Sequence, residues 1–114
     1  MASAEECREA LQKLTGRLAE MNPGDRASYF GHRSMSCEVT DLGVTFVTRF
    51  TDNGAEPVVE ANPGDPPADI RLTASSDDVL HLSESPANIA RMWVSGKVKV
   101  HASMRDLLAL RRLL

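Results

Sequence analysis

An α+β domain is predicted by three features of the chain: a hydrophobic period that shifts to two at Ser34, turn signals between the two-period segments, and a return to helical spacing after Ser75. The first stretch carries Ala4, Cys7, Leu11, Leu14, Leu18 and Met21 at alternating three- and four-residue steps, with Glu5, Glu6, Arg8, Glu9, Lys13 and Arg17 between them. That spacing predicts an amphipathic helix. Ser3 followed by Glu6 forms a capping box that specifies its start. Asn22-Pro23-Gly24-Asp25 ends it. The same four residues recur at Asn62-Pro63-Gly64-Asp65, but Pro then Gly is what a type II turn requires, so the chain has two turns rather than a repeat.

From Ser34, Met35, Cys37 and Val39 alternate with Ser34, Ser36 and Glu38, and then Val44, Phe46 and Phe50 alternate with Thr45 and Arg49. Two antiparallel strands joined at Asp41-Leu42-Gly43 are expected. A turn at Asp52-Asn53-Gly54 precedes a short third strand over 58–61. Pro63, Pro66 and Pro67 force an irregular crossing before a fourth strand, Asp69-Ile70-Arg71-Leu72-Thr73-Ala74.

Two short helices follow. The first is opened by Ser75 or Ser76 ahead of Asp77 and Asp78, whose charges suit a helix N-terminus. In the second, Ser85 caps, Pro86 takes the first helical position, Ile89, Met92 and Trp93 share a face, and Gly96 supplies the stop. Lys97-Val98-Lys99-Val100-His101-Ala102 alternates strictly, so its sheet has one apolar and one wet face. Ser103 caps a terminal helix over 104–114. The result is a single two-layer domain over residues 1–114, with a five-stranded, mixed but mainly antiparallel sheet, helices on one face and element order α-βββ-β-αα-β-α.

Composition narrows the function classes. The 114 residues, 42% hydrophobic, suit one core that folds without disulfides or a structural metal. Cys7 and Cys37 are read as reduced thiols of a cytoplasmic protein, and no CxxC, Cys/His tetrad or HExxH spacing is present. A net charge of −3 and 4% aromatics offer neither a phosphate-binding face nor a stacking platform, which excludes a nucleic-acid partner. Apolar runs fall far short of the roughly 20 residues that span a bilayer, so any membrane contact is transient.

A ligand is suggested by the last helix. Met104, Leu107, Leu108, Leu110, Leu113 and Leu114 cover an arc of about 220°, against the roughly 100° a surface helix needs. One face packs on the sheet and the other needs a second apolar partner: a ligand, or another copy in a homodimer. Periodicity leaves the two equal. Met21, Met35, Met92 and Met104 are spread over elements expected to face one layer, and flexible thioethers suit either an adaptable pocket or a filled core.

The second half of the chain resembles the sterol carrier protein-2 (SCP-2) lipid-binding family. The similarity lies in Ala68-Asp69-Ile70-Arg71-Leu72-Thr73, in Ser75-Ser76-Asp77-Asp78, in Trp93-Val94-Ser95-Gly96-Lys97-Val98-Lys99-Val100, and in Met104 opening a Leu-rich helix. The resemblance implies an apolar tunnel between sheet and helices that holds a sterol, fatty acyl chain or similar lipid without chemical change or cofactor. It assigns ligand contacts to Trp93, Met104, Leu107 and Leu108. Met92 joins them from the helix face it shares with Trp93, and Phe46 and Phe50 from the strand pattern. Leu107 and Leu108 are expected to point toward Trp93, while Leu110, Leu113 and Leu114 stay divided between tunnel wall and partner surface. The family's usual Gly-Asn before the methionine is Ala102-Ser103 here, and the sequence ends Arg-Arg-Leu-Leu rather than in a peroxisomal signal.

Catalytic patterns are missing. Gly96-Lys97 is not a phosphate loop, since Arg91 stands five before Gly96 and Val98 follows the lysine. His32, His81 and His101 are scattered, with His101 on the wet side of its strand. The expectation is a non-enzymatic carrier, monomeric or homodimeric, with a protein-interaction module or an accessory protein in the synthesis of a lipid-like metabolite as the alternatives.

Overall fold

The computed structural model describes residues 2–19, 33–51, 54–62, 64–84, 87–104 and 107. Helix α1 (Ala4–Ala19) opens on the expected capping box: Ser3 N–H donates to Glu6 Oε1 and Glu6 N–H to Ser3 Oγ, each at 3.1 Å. Two donors that a bare helix start leaves unpaired are thereby satisfied. Cys7, Ala10, Leu11, Leu14 and Thr15 form the buried stripe. Thr15 tolerates burial because its hydroxyl donates to the Leu11 carbonyl at 2.9 Å. Ala4, expected in the stripe, is exposed: it lies in the first helical turn, between buried Ala2 and buried Cys7. The side chain of Leu18, together with Met21 and the first Asn-Pro-Gly-Asp turn, lies outside the described residues.

The strands are β1 (Ser34–Val39), β2 (Val44–Thr51), β3 (Gly54–Ala55), β4 (Val59–Glu60), β5 (Ile70–Ala74) and β6 (Lys99–His101). Across the sheet the order is β3-β2-β1-β5-β6, with β4 also paired to β2. The β1–β5 pair is parallel and the others antiparallel, so the sheet is mixed as expected. Between β1 and β2 the Leu42 and Gly43 N–H groups both donate to the Val39 carbonyl, and Gly43 takes the positive φ of 64° that the reversal needs.

The third strand position is split. Four residue steps separate Ala55 from Val59, but only three separate their partners Phe50 and Val47 on β2. One extra residue is therefore inserted, at Pro57-Val58, where proline has no N–H to give the ladder. The Val58 N–H turns instead to Gln12 Oε1 of α1 at 2.8 Å, and the Val58 side chain is buried. Pairing resumes at Val59 and Glu60, opposite Val47 and Phe46, and continues with the Ala61 N–H donating to the Thr45 carbonyl. The following Asn62-to-Asp65 turn closes with Asp65 N–H on the Asn62 carbonyl and Gly64 at φ 89°, as a Pro-Gly turn demands.

Period two then sorts the faces. Met35, Cys37, Val39, Phe46, Phe50, Ile70, Leu72 and Ala74 are buried on the inner face, under the helices. Arg49, Arg71, Lys99 and His101 stand exposed on the outer face. Helix α2 (Ser76–Glu84) is capped by Ser75, whose Oγ accepts the Asp78 N–H at 3.3 Å. Helix α3 (Ala87–Val94) follows, and Gly96 at φ 82° ends the turn beyond it. Helix α1 packs against α2, β2 and β3, and α2 against α3. The cap expected at Ser85 and Pro86 lies outside the described residues.

Two polar ties join distant segments. Ser76 donates its N–H to Asp41 Oδ1 at 2.8 Å and its hydroxyl to Asp41 Oδ2 at 2.6 Å, while Ser76 Oγ accepts the Ala2 N–H at 3.1 Å. Arg17 Nη1 donates to the Ser83 and Glu84 carbonyls at 2.7 and 2.8 Å, placing a cation on the C-terminus of α2. Both cysteines are free and buried. Burial pushes the Cys37 thiol up to about 12, with smaller contributions from Cys7 and Glu38.

The Ser76 hydroxyl holds the Asp41 carboxyl below the usual carboxylate range. A carboxylate with a depressed folded-state pKa stabilises the fold fully above its unfolded value, and that contribution is lost as pH falls through the folded one. Asp41→Asn is accordingly expected to lower the melting temperature at neutral pH, with the gap to wild type closing as pH drops below the carboxylate range. Thermal melts over an acid series measure this. Removing the buried Ser76 hydroxyl with Ser76→Ala is expected to cost about 1–3 kcal/mol, read by urea unfolding. A disulfide-exchange reagent at about pH 8 should label neither thiol in the folded protein and both in denaturant.

Candidate functional site

The inner face of β2 is the floor of the candidate site, because alternation aims Phe46, Thr48 and Phe50 at the helices. Phe50 is fully buried and Phe46 is 4% exposed. Thr48 between them is satisfied by donating its hydroxyl to the Glu56 carbonyl at 2.6 Å, so the floor carries no orphaned polar group. Helix α3 supplies Met92, buried, and Trp93, half-buried and packed against the same core. The α3–β6 turn is fixed by the backbone: Gly96 N–H donates to the Trp93 carbonyl at 3.1 Å and Val98 N–H to the Met92 carbonyl at 3.2 Å. Met92 and Trp93 are thus held by their own carbonyls as well as by packing.

The last helix begins where the sequence places it. Leu107 N–H donates to the Ser103 carbonyl at 2.9 Å, the first helical bond after the cap, and the Leu107 side chain is half-buried. Met104 is 72% exposed. It follows the cap directly and does not share the buried layer of Met35 and Met92. Leu108, Leu110, Leu113 and Leu114 lie outside the described residues. Of the seven expected contact residues, Phe46, Phe50 and Met92 join one core cluster, Trp93 packs on its edge, and Met104 stands apart.

Two surface grooves are present among the described residues. One, of about 440 Å³, runs between α2 and α3, with Asp78, His81 and Glu84 on one wall, Asn88 and Arg91 on the other, and Met92 and Lys97 at its end. The other, of about 410 Å³, lies beside β2 under Pro57, Val59, Pro66 and Pro67. Neither is lined by Phe46, Phe50, Trp93 or Leu107. The first was missed by sequence reasoning, although the three-residue step from His81 to Glu84, 3.6 Å apart in the fold, marks one of its walls. No cluster of His, Cys, Asp and Glu suited to a metal ion occurs among the described residues, and no helix among them is long and apolar enough to cross a membrane.

Comparison with solved structures gives the same architecture. The sterol carrier protein domain 2 of Helicoverpa armigera aligns with a TM-score of 0.66 at 18% identity, covering 98% of this chain and 89% of that one. Palmitated SCP2L2 of Aedes aegypti aligns at 0.62 and 14% identity, covering 98% and 94%. A UbiJ-SCP2 ubiquinone synthesis protein aligns at 0.60 and 16% identity, covering 99% and 92%. No curated protein sequence matches the chain. The SCP-2 sterol transfer family model, however, matches residues 2–114, the whole span of the sheet and its helices, and the chain belongs to that family.

Proposed function

We propose that the chain binds an apolar ligand, a fatty acyl chain or a sterol, between the inner sheet face and the helix that opens at Ser103, and carries or sequesters it without chemical change. The observation that carries this reading is the family match over residues 2–114, supported by a C-terminal sequence with more apolar residues than one helix packing face uses. The palmitated state of the Aedes aegypti neighbour supports a fatty acyl chain. Phe46, Phe50 and Met92 would form the floor, Trp93 the edge, and Met104, Leu107 and Leu108 the cover. Affinity would come from apolar burial, about 25 cal/mol per Å² removed from water. In this reading the protein is a single cytoplasmic domain that meets membranes transiently.

One specific observation favours a narrower version. The neighbour named as a ubiquinone synthesis protein covers nearly the full length of both chains, which supports an accessory role that holds a lipid-like intermediate for a separate enzyme.

Delipidated protein is expected to bind a fluorescent fatty acyl probe saturably, with a change in emission from Trp93, the single tryptophan. Leu107→Asp is expected to weaken that binding about tenfold or more while the melting temperature stays near wild type. Absence of saturable binding in wild-type protein would overturn the reading. Native mass spectrometry of freshly purified protein, by identifying a co-purified molecule, separates acyl, sterol and isoprenoid ligands.

A further inference from the structure

The groove between α2 and α3 carries opposite charges on its two sides: Asp78 and Glu84 on α2, Arg91 on α3 and Lys97 at its end. Among the described residues no ion pair crosses it. Glu84 has basic neighbours of its own, since His81 Nδ1 lies 3.6 Å from its carboxylate and Arg17 donates to its carbonyl at 2.8 Å. Asp78 differs. It stands three residues after the Ser75 cap, the place that Glu6 holds after Ser3 in α1, where the Glu6 carboxylate folds back to accept the Ser3 N–H. The Asp78 carboxylate makes no such return bond among the described residues, and this half-buried side chain lines the groove instead. Asp77, next to it, does not line the groove.

Backbone geometry keeps the two sides apart. At the α2–α3 connection Asn88 Nδ2 donates to the His81 carbonyl at 2.8 Å, which leaves Asn88 Oδ1 as an acceptor. Beyond α3, Ser95 N–H donates to the Arg91 carbonyl at 3.0 Å, and the bonds from Gly96 N–H and Val98 N–H already described hold Lys97 in its turn. The Ser95 hydroxyl donates to the Met92 carbonyl at 3.2 Å and keeps its lone pairs for a second donor. Neither Arg91 nor Lys97 has an ionic partner among the described residues.

We infer that this groove binds a small zwitterion, a primary ammonium and an oxyanion joined by a short methylene chain, with the ammonium at Asp78 and the oxyanion at Arg91 and Lys97. Charge complementarity selects the class. An anion alone meets Asp78 and Glu84 as well as the two cations, and a cation alone meets the converse, so only a molecule with both charges satisfies both sides. Ser95 Oγ and Asn88 Oδ1 supply further acceptors for an ammonium, and Met92 an apolar contact for the methylenes. At about 30 Å³ of liquid volume per small polar group, the groove of about 440 Å³ has room for roughly ten to fifteen non-hydrogen atoms. The assignment goes beyond the carrier reading and does not depend on it.

The test is an amide NMR titration of the full chain with 4-aminobutyrate and 3-aminopropylphosphonate, against butyrate and butylamine as the two half molecules. Saturable shifts at Arg91, Ser95, Gly96 and Lys97 are expected for a zwitterion, with affinity about fivefold or more above either half molecule. The ranking of carboxylate and phosphonate names the oxyanion. Asp78→Asn and Arg91→Gln are each expected to weaken 4-aminobutyrate about two- to fivefold, the first bringing it down to the level of butyrate and the second to that of butylamine. Arg91→Lys should restore most of the loss, and Lys13→Gln on α1 should bind as wild type. The assignment is overturned by half molecules that bind as tightly as the zwitterions, by wild-type affinity in Asp78→Asn and Arg91→Gln, or by the absence of saturable shifts at the groove. Binding of the acyl probe in the presence of saturating 4-aminobutyrate is expected to be unchanged. Failure of the zwitterion titration leaves the carrier reading standing, and failure of the acyl probe leaves the groove.

Discussion

The Asp41–Ser76 pair is the contact on which the arrangement of layers depends. One carboxylate takes both the N–H and the hydroxyl of a serine 35 residues away, and so pins the β1–β2 turn to the junction of β5 and α2. The same serine receives the Ala2 N–H, and its carbonyl lies 3.8 Å from the Cys7 thiol. Three segments distant in sequence meet there: the N-terminal stretch with α1, the β1–β2 turn and the β5–α2 junction. A buried hydroxyl with its partners satisfied orients neighbouring elements in a way that apolar packing, which tolerates sliding, does not. With α1 and α2 fixed at one end by this node and at the other by Arg17 on the last carbonyls of α2, the helical layer is held at a defined position over the sheet.

The bulge at Pro57-Val58 does complementary work at the opposite edge. One inserted residue changes which side chain points inward, so Val58 enters the core while Val59 is turned out to solvent. The strand that begins beside Phe50 therefore leaves beside Val47 in the opposite phase. The Gln12 side chain takes the Val58 N–H released from the ladder, which couples α1 to the sheet edge without an unsatisfied donor.

Local features were legible in the sequence, and non-local ones were not. The capping box at Ser3 and Glu6, the hairpin at Gly43, the Pro-Gly turn at Gly64 and the helix stop at Gly96 are each written in a few adjacent residues, and the structure has them. Inward-facing Phe46 and Phe50 followed from alternation alone. The extra residue at Pro57 escaped, because alternation in one strand says nothing about its count against a partner. Asp41 read as a turn residue, since its serine is far away along the chain. For the candidate site, Met92 and Trp93 were legible from a shared helix face, but Met104 was read as inward. Helical periodicity gives a direction only once the helix axis is placed, and spacing along the chain does not place it.

The parallel pairing of β1 with β5 has a consequence for how the chain is made. Met35 meets Ile70 and Val39 meets Ala74, so the centre of the sheet closes only across a long intervening segment. Contacts of such span delay folding, because the entropy of closing the loop is lost before the contact forms. On the ribosome, α1 and the β1–β2 hairpin emerge before β5, so the β1 edge that receives it stays unpaired until residue 74 has left the exit tunnel. Between synthesis of Val39 and synthesis of Ala74 that open edge is a site for mispairing and for chaperones.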